Sequence, residues 1–304
     1  MEKLDFPNRV TVELTNRCNL SCTFCPRQSI DMEPGDMEMG LYKKIIDEMS
    51  LNRPIKLLLF FRGESLLHPN LIDMARYAKS KEIDNIFFSS NGLLLDEKIT
   101  DELLDVGIDD ISFSIDTLDE NIYNSFRVAG DLQKTIENVV NFTEKCKKRR
   151  LAGKSSPKVQ VSTIDVDAYS LGQDEFIRFW MHHADSVRVY YEHDERAEII
   201  SKKGIEDLKY LSERKPCRKV FTDFLIFCNG DVTLCNYAWE PIKQLGNVKD
   251  KSIKEIWDSK EFNDIRDMHL RNNFNAGLIC ENCQHWKVDY TEKGYLGESY
   301  SAKS

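Results

Sequence analysis

Val10-Thr-Val-Glu-Leu-Thr-Asn-Arg-Cys18-Asn-Leu-Ser-Cys22-Thr-Phe-Cys25-Pro26 decides how this chain is read. A short β-rich run passes directly into a loop that carries three cysteines. Along the run Val10, Val12 and Leu14 share one face, while Thr11, Glu13 and Thr15 share the other. Working outward, strands are expected at Ile55–Phe61, Asn85–Ser90, Asp110–Asp116, Val159–Asp165 and Ser186–Glu192. Helices are expected between them at Leu41–Ser50, Asn70–Ser80, Asp96–Val106, Asp131–Arg150 and Gln173–His182. Such alternation implies an α/β fold with right-handed crossovers and a parallel sheet. Six units are too few for a closed eight-stranded barrel, so an open partial barrel and a doubly wound sheet both fit.

The strand faces carry a second clue. Ser112, Ser114 and Asp116 alternate with Ile111, Phe113 and Ile115, and Arg188, Tyr190 and Glu192 oppose Val187, Val189 and Tyr191. A parallel sheet covered on both faces reads as apolar throughout. One polar face therefore predicts a hollow side that holds a polar ligand.

Beyond the alternating region, residues 194–215 are charged and lack a period, which reads as a linker. Phe221–Phe227, Asn229-Gly230 and Asp231–Cys235 then form a hairpin pattern, with Asn-Gly suited to a type I′ turn. Helices are expected at Ser252–Trp257 and Glu261–Leu270, followed by Cys280-Glu-Asn-Cys283. The expected division is residues 1–193, a linker at 194–215, and a smaller unit at 216–304.

Composition excludes several classes. With 41% apolar and 31% charged residues among 304, the chain suits a globular protein rather than a disordered one. A net charge of -9 leaves no basic footprint for nucleic acid or an anionic membrane. The basic run Lys145 to Arg150 reads as the solvated end of a helix. No apolar stretch approaches the roughly 20 residues that span a bilayer, and Met1 to Asn8 lacks the order of a secretory signal. A cytoplasmic location is expected.

Nine cysteines in such a chain do not suit a disulfide framework, because the cytosol keeps thiols reduced. Cys18, Cys22 and Cys25 cluster early; Cys217, Cys228, Cys235, Cys280 and Cys283 gather late; Cys146 stands apart. Tight groups read as metal ligands. Three thiolates on one loop can hold three corners of a cubane and leave one iron open to a small molecule. The competing reading is a zinc knuckle with a fourth ligand such as His68.

The quoted stretch resembles the signature loop of radical S-adenosylmethionine (SAM) enzymes. The resemblance implies a partial (β/α)6 TIM-like barrel with chemistry in its lumen. It also implies a [4Fe–4S] cluster on Cys18, Cys22 and Cys25 whose open iron chelates SAM. In that family one electron cleaves SAM, and a 5′-deoxyadenosyl radical takes hydrogen from the substrate. Carried over position by position, Phe24 is expected against adenine, and Gly63 and Glu64 at the SAM amino group. Ser90 and Asn91 are expected near the ribose, and Ser114 and Arg127 at the SAM carboxylate, a task that suits a guanidinium fork. Arg62-Gly-Glu-Ser65 departs from the family's Gly-Gly-Glu-Pro motif at Arg62 and Ser65.

The late cysteines resemble the family's SPASM/Twitch extension. That resemblance implies a small β-hairpin and helix domain in which Cys217, Cys235, Cys280 and Cys283 hold a fully ligated auxiliary [4Fe–4S] cluster. Zinc is the alternative there. The layout with one auxiliary cluster most resembles the 2-deoxy-scyllo-inosamine dehydrogenases, which implies oxidation of a secondary alcohol on a small polar substrate. Relatives of this kind imply a flavodoxin- or ferredoxin-type electron donor. Glu13 and Glu192 are candidate bases, with ion-pair roles as the alternative for each. Arg188 and Tyr190 could orient substrate. Cys228 is a candidate hydrogen-atom donor for an epimerase, against a plain hairpin cysteine. Peptide modification and a non-catalytic zinc-binding scaffold are the remaining alternatives.

Overall fold

The computed structural model describes residues 1–194, 197–242, 245–292 and 295–301. Its strands are β1 (Arg9–Val12), β2 (Lys56–Leu59), β3 (Asn85–Ser90), β4 (Asp110–Ser114), β5 (Lys158–Asp165), β6 (Ser186–Tyr191), β7 (Asp223–Ile226), β8 (Val232–Thr233) and β9 (Gly297–Ser301). They form one open sheet in the order β8-β7-β1-β2-β3-β4-β5-β6-β9. From β1 to β6 each strand pairs in parallel with the next in the chain. A doubly wound sheet would reverse its order at a switch point. The sequential order selects the open partial barrel.

Helices fill the crossovers: α1 (Met39–Ser50), α2 (Leu71–Ser80), α3 (Glu97–Val106), α4 (Glu120–Phe126), α5 (Leu132–Leu151) and α6 (Gln173–His183). Their starts are set locally. Asp96 accepts the Ile99 N–H at the head of α3, and Asp131 accepts the Lys134 N–H at the head of α5. Ile45, Met74, Leu103, Phe142 and Trp180 pack with Val12, Leu57, Phe88, Phe113 and Val161 in one core. The opposite strand faces are less covered. Along β3 and β6 fully buried residues alternate with half-buried ones, and the half-buried set includes Ser89, Arg188 and Tyr190. On the faces expected to border a hollow, Thr11, Glu13, Ser112 and Asp116 are buried, so this side is open only in part.

The C-terminal part is α7 (Lys202–Asp207), α8 (Lys219–Thr222), α9 (Ile253–Trp257) and α10 (Lys260–Arg271) with β7 to β9. Several expectations change here. The strand expected from Phe221 begins at Asp223, because the residues before it close a helical turn. In the hairpin turn only Gly230 has a positive φ, 91°, and its N–H donates to the Phe227 carbonyl at 2.8 Å. A type I′ turn needs two such residues, so this is a type I turn closed by a left-handed glycine. The hairpin extends the barrel sheet, since β7 pairs in parallel with β1. Residues Phe224, Trp257 and Phe262 join the same core as the barrel helices. The segment read as a linker contains α7, and its Ile199, Leu208 and Leu211 pack with Tyr191, Trp286 and Leu296. Strand β9, which no sequence pattern announced, pairs antiparallel with β6. Among the described residues no helix is long and apolar enough to cross a membrane.

Candidate functional site

The three early cysteines leave β1 on a loop pinned from both sides. Ser21 and Thr23 donate to the carbonyls of Val128 and Phe126 at 3.0 and 2.9 Å, and Glu64 donates to the Arg17 carbonyl at 2.8 Å. Gly63 lies so flat on this loop that a Cβ would stand 2.3 Å from the Thr15 oxygen and 2.5 Å from the Arg17 oxygen. Cys22 is buried, and Cys18 and Cys25 are half-buried. Burial pushes all three thiols up, Cys22 to about 11, against the pull of Arg127 on Cys22 and Cys25 and of Arg27 on Cys18 and Cys25. Backbone N–H groups of Leu20 and Arg27 also face the Cys18 and Cys25 sulfurs. These sulfurs favour the thiol alone and would become thiolates beside a metal cation.

The companion residues gather at this loop. Glu64 accepts the backbone N–H groups of Leu66 at 3.1 Å and Asn91 at 2.7 Å, so its carboxylate ties the end of β2 to the end of β3. Asn91 in turn donates to the Asn19 side chain, between Cys18 and Cys22, at 2.9 Å. Ser90 accepts the Gly92 N–H, and Ser114 meets Ser162 at 3.4 Å. Arg127 gives its Nε to Asp116 at 2.7 Å and stands 5.7 Å from the Phe24 ring. Asp116 itself has a φ of 77°, a costly conformation for a residue with a Cβ. Phe24 is 39% exposed, an unusual fraction for a large aromatic beside buried charge. His68 is committed elsewhere: one ring nitrogen meets the Met37 carbonyl and the other accepts the Asn70 N–H. It is not available as a fourth ligand.

The candidate bases separate. Glu13 is fully buried and clasped by Arg62, Nε to Oε2 at 2.7 Å and Nη2 to Oε1 at 2.8 Å, and it also accepts the Cys228 N–H. It occupies the ion-pair role and presents no open oxygen to the lumen. Arg62 extends the clasp: its guanidinium stands 4.0 Å from the Phe227 ring and bonds the Trp239 carbonyl. Sequence reading registered Arg62 only as a departure from a motif. Glu192 is half-buried just past β6, where burial and the carboxylates of Asp165 and Asp167 raise its pKa. On the lumen face Gln160 donates to Ser112 at 2.9 Å and to the Tyr190 hydroxyl at 3.4 Å, and Arg188 donates to the same hydroxyl at 3.2 Å. Cys228 lines a cavity of about 440 Å³ with Asn16, Arg62, Asp31, Glu33 and Asp231. Burial first, then Glu13, pushes its thiol up to about 12. Cys146 is buried in α5.

Four thiols meet in the C-terminal part. Cys217, Cys235, Cys280 and Cys283 line one small void with Arg214, Lys219, His269 and His285. Burial raises each thiol, Cys283 to about 12, while backbone N–H groups of Lys219, Tyr237 and His285 face the sulfurs of Cys217, Cys235 and Cys283. Tyr237 stacks on His285 with ring centres 3.4 Å apart. It lies within electrostatic reach of Cys235, Cys283 and the lumen residue Tyr190. Among the described residues no three His, Cys, Asp or Glu side chains converge tightly enough to hold a single metal ion. Four sulfurs around a void, with N–H groups aimed at them, are a donor set for a four-cysteine cubane. At the N-terminal loop, three sulfurs with an exposed aromatic and a clamped arginine beside them fit a cubane that keeps one iron for SAM.

The profile of the radical SAM superfamily matches residues 12–154, and that of the SPASM iron–sulfur cluster-binding domain matches residues 217–284. The tungsten-containing aldehyde ferredoxin oxidoreductase cofactor-modifying protein of Pyrococcus furiosus is 31% identical over 157 residues, covering 50% of this chain and 42% of that one. The chain spans less than half the length of the curated relatives it matches. BtrN, solved with AdoMet and 2-DOIA, aligns at a TM-score of 0.53 and 19% identity over 88% of each chain. SuiB of Streptococcus suis, solved with the precursor peptide SuiA, aligns at a TM-score of 0.72 and 15% identity over 97% of this chain and 76% of its own. These likenesses bear on the fold alone.

Proposed function

The chain belongs to the radical SAM superfamily and carries a SPASM iron–sulfur domain, and from that premise we propose that it oxidises a secondary alcohol of a cyclitol, aminosugar or sugar nucleotide to a ketone. When bound, SAM and the open cluster supply a 5′-deoxyadenosyl radical that removes a hydrogen atom, and the auxiliary cluster supplies an acceptor for one electron. The chain's own part is to seat the alcohol, keep water from the carbinol carbon and take the hydroxyl proton. Hydrogen atom, proton and electron together make the two-electron oxidation.

The observation that carries this reading is the polar lumen wall of Ser112, Gln160, Arg188 and Tyr190. Its donors and acceptors are arranged for hydroxyl or amino groups rather than for an apolar ligand. Glu192 is the proton acceptor in this reading: a carboxylate with a raised pKa accepts a proton more readily than an ordinary one. Tyr237, within electrostatic reach of both Tyr190 and the late thiols, supports a path for the electron. Phe24, Gly63, Glu64, Ser90, Asn91, Ser114 and Arg127 are assigned to SAM. A flavodoxin- or ferredoxin-type donor would start each turnover, in the cytoplasm. The fold shared with BtrN and SuiB is compatible with a small ligand or a peptide.

A second reading, a radical epimerase of a sugar or peptide, is favoured by Cys228. Its raised pKa keeps the S–H bond that a hydrogen-atom donor needs, and it lines the 440 Å³ cavity. The test is anaerobic turnover in deuterated water with SAM, reductant and a panel of cyclitols and aminosugars. A product lighter by two hydrogens, formed with 5′-deoxyadenosine and carrying no solvent deuterium on carbon, supports the dehydrogenase. Unoxidised product carrying one solvent deuterium overturns it in favour of the epimerase.

A further inference from the structure

The late thiols offer a metal cluster its ligands, but the same void is also lined with hydrogen-bond donors that have nothing to bond. Arg214 Nε, His269 Nε2 and both ring nitrogens of His285 are buried and without a partner, and all three residues line the void. A buried donor without an acceptor is costly and rare in folded proteins. Three such side chains around one void call for acceptors inside it.

His269 makes the argument specific. It is 2% exposed on α10. The backbone N–H of Cys217 donates to its Nδ1 at 3.3 Å. A ring nitrogen that accepts an N–H carries no proton, so the proton of this imidazole resides on Nε2. The unpartnered atom is therefore a donor, and its direction is fixed by a residue that is itself a ligand. Arg214 is held with equal firmness, its Nη1 bonded to the carbonyls of Glu281 at 3.0 Å and Cys283 at 3.1 Å.

We propose that His269 donates its Nε2–H to a sulfur of the auxiliary cluster, with Cys217 both ligating that cluster and selecting the tautomer of its donor. Arg214 and His285 complete the donor shell. Hydrogen bonds to cluster sulfur stabilise the more negative, reduced state and raise the reduction potential. His269 is thus a positioning and tuning residue, and the shell suits a cluster that accepts electrons. The inference rests on a cluster at this site, not on the alcohol-oxidising reading, and it is tested without substrate.

The test uses the full chain with Cys18→Ala/Cys22→Ala/Cys25→Ala, so that only the auxiliary cluster contributes signal. After anaerobic reconstitution, iron and sulfide are counted, and the potential is measured by redox titration followed by electron paramagnetic resonance. In His269→Phe the potential should move to more negative values at full iron content, and in His269→Gln, which retains an N–H donor, it should move less. A fully loaded His269→Phe protein with unchanged potential overturns the proposal. If His269→Phe fails to hold iron, nuclear coupling in ¹⁵N-histidine-labelled protein decides. A ¹⁵N coupling to the reduced cluster that His269→Gln abolishes supports the bond. Absence of coupling, or a coupling pattern identical in wild type and His269→Gln (the pattern His285 alone would give), overturns it.

Discussion

The two thiol centres use the same ligand chemistry in opposite ways. Each centre has two half-buried cysteines, Cys18 and Cys25 in one and Cys235 and Cys283 in the other. What separates them is that the N-terminal centre takes all its cysteines from one loop and sets the 39%-exposed Phe24 beside them. The C-terminal centre gathers four cysteines from the approach to α8, the end of β8 and the loops after α10, and encloses them with buried nitrogens. The loop is built for exchange: one position stays open and the surroundings admit a ligand. The void is built for retention, since every sulfur is supplied by the chain and the wall bonds whatever the sulfurs hold.

The largest expected effect breaks the two centres apart. Cys22→Ala should abolish reductive SAM cleavage while the chain still holds about four irons after anaerobic reconstitution. Cys280→Ala/Cys283→Ala should also hold about four irons, yet should still form 5′-deoxyadenosine from SAM and reductant without substrate. Counting iron and sulfide and assaying 5′-deoxyadenosine checks both. If either variant loses all iron, the centres assemble as one unit and the contrast fails.

Next in size is the link between the centres. Glu13 and Arg62, 0% and 7% exposed in their side chains, join the strand before the cysteine loop to the hairpin that leads to Cys235. Removing one partner of a buried pair leaves an uncompensated charge and costs about 3–5 kcal/mol. Glu13→Ala should accordingly lower the urea midpoint of the anaerobically reconstituted protein strongly. Glu13→Leu/Arg62→Leu should recover part of that loss, because no lone charge remains buried. A midpoint for Glu13→Ala within error of wild type would show that the pair does not couple the two regions.

That pair also marks where the sequence stops being legible. Asn85–Ser90 was readable to the residue because Ile86, Phe87 and Phe88 make a short β-rich run that is a local pattern. The thiols were readable because their spacing is a local pattern too. Glu13 and Arg62 were not: each had a plausible local role, and only the pairing of β1 with β2 brings them together. Strand β9, Gly-Glu-Ser-Tyr-Ser, has weak β character and exists because the edge of β6 is available to pair. The helix inside 194–215 was hidden by its charge: it buries only Gly204, and the packing is made by Ile199, Leu208 and Leu211 on either side of it against neighbours distant in the chain. His269 lies in an amphipathic helix that was expected, but nothing in its periodicity distinguishes an inward imidazole from a core residue. Its meaning depends on which void it faces.

The last comparison concerns proton transfer at Glu192, where the shift expected in the pH profile is the smallest of these effects. Burial, then Asp165 and Asp167, raise the pKa of Glu192. A base works only when ionised, so the acid limb of the rate profile should lie above the ordinary carboxylate value of about 4.3. The rate should fall as pH drops through that raised pKa. Asp165→Asn removes a neighbouring negative charge, which favours the ionised form and lowers the pKa of Glu192. The acid limb should then move to lower pH without reaching the ordinary value, because burial, the largest cause, remains. Glu192→Gln should cost roughly 10²–10⁴ in kcat and erase the limb, while SAM cleavage without substrate stays unchanged. A limb that ignores Asp165→Asn, together with a rate that survives Glu192→Gln, would assign the proton to another group on the lumen wall and leave Glu192 as one more acid at its rim.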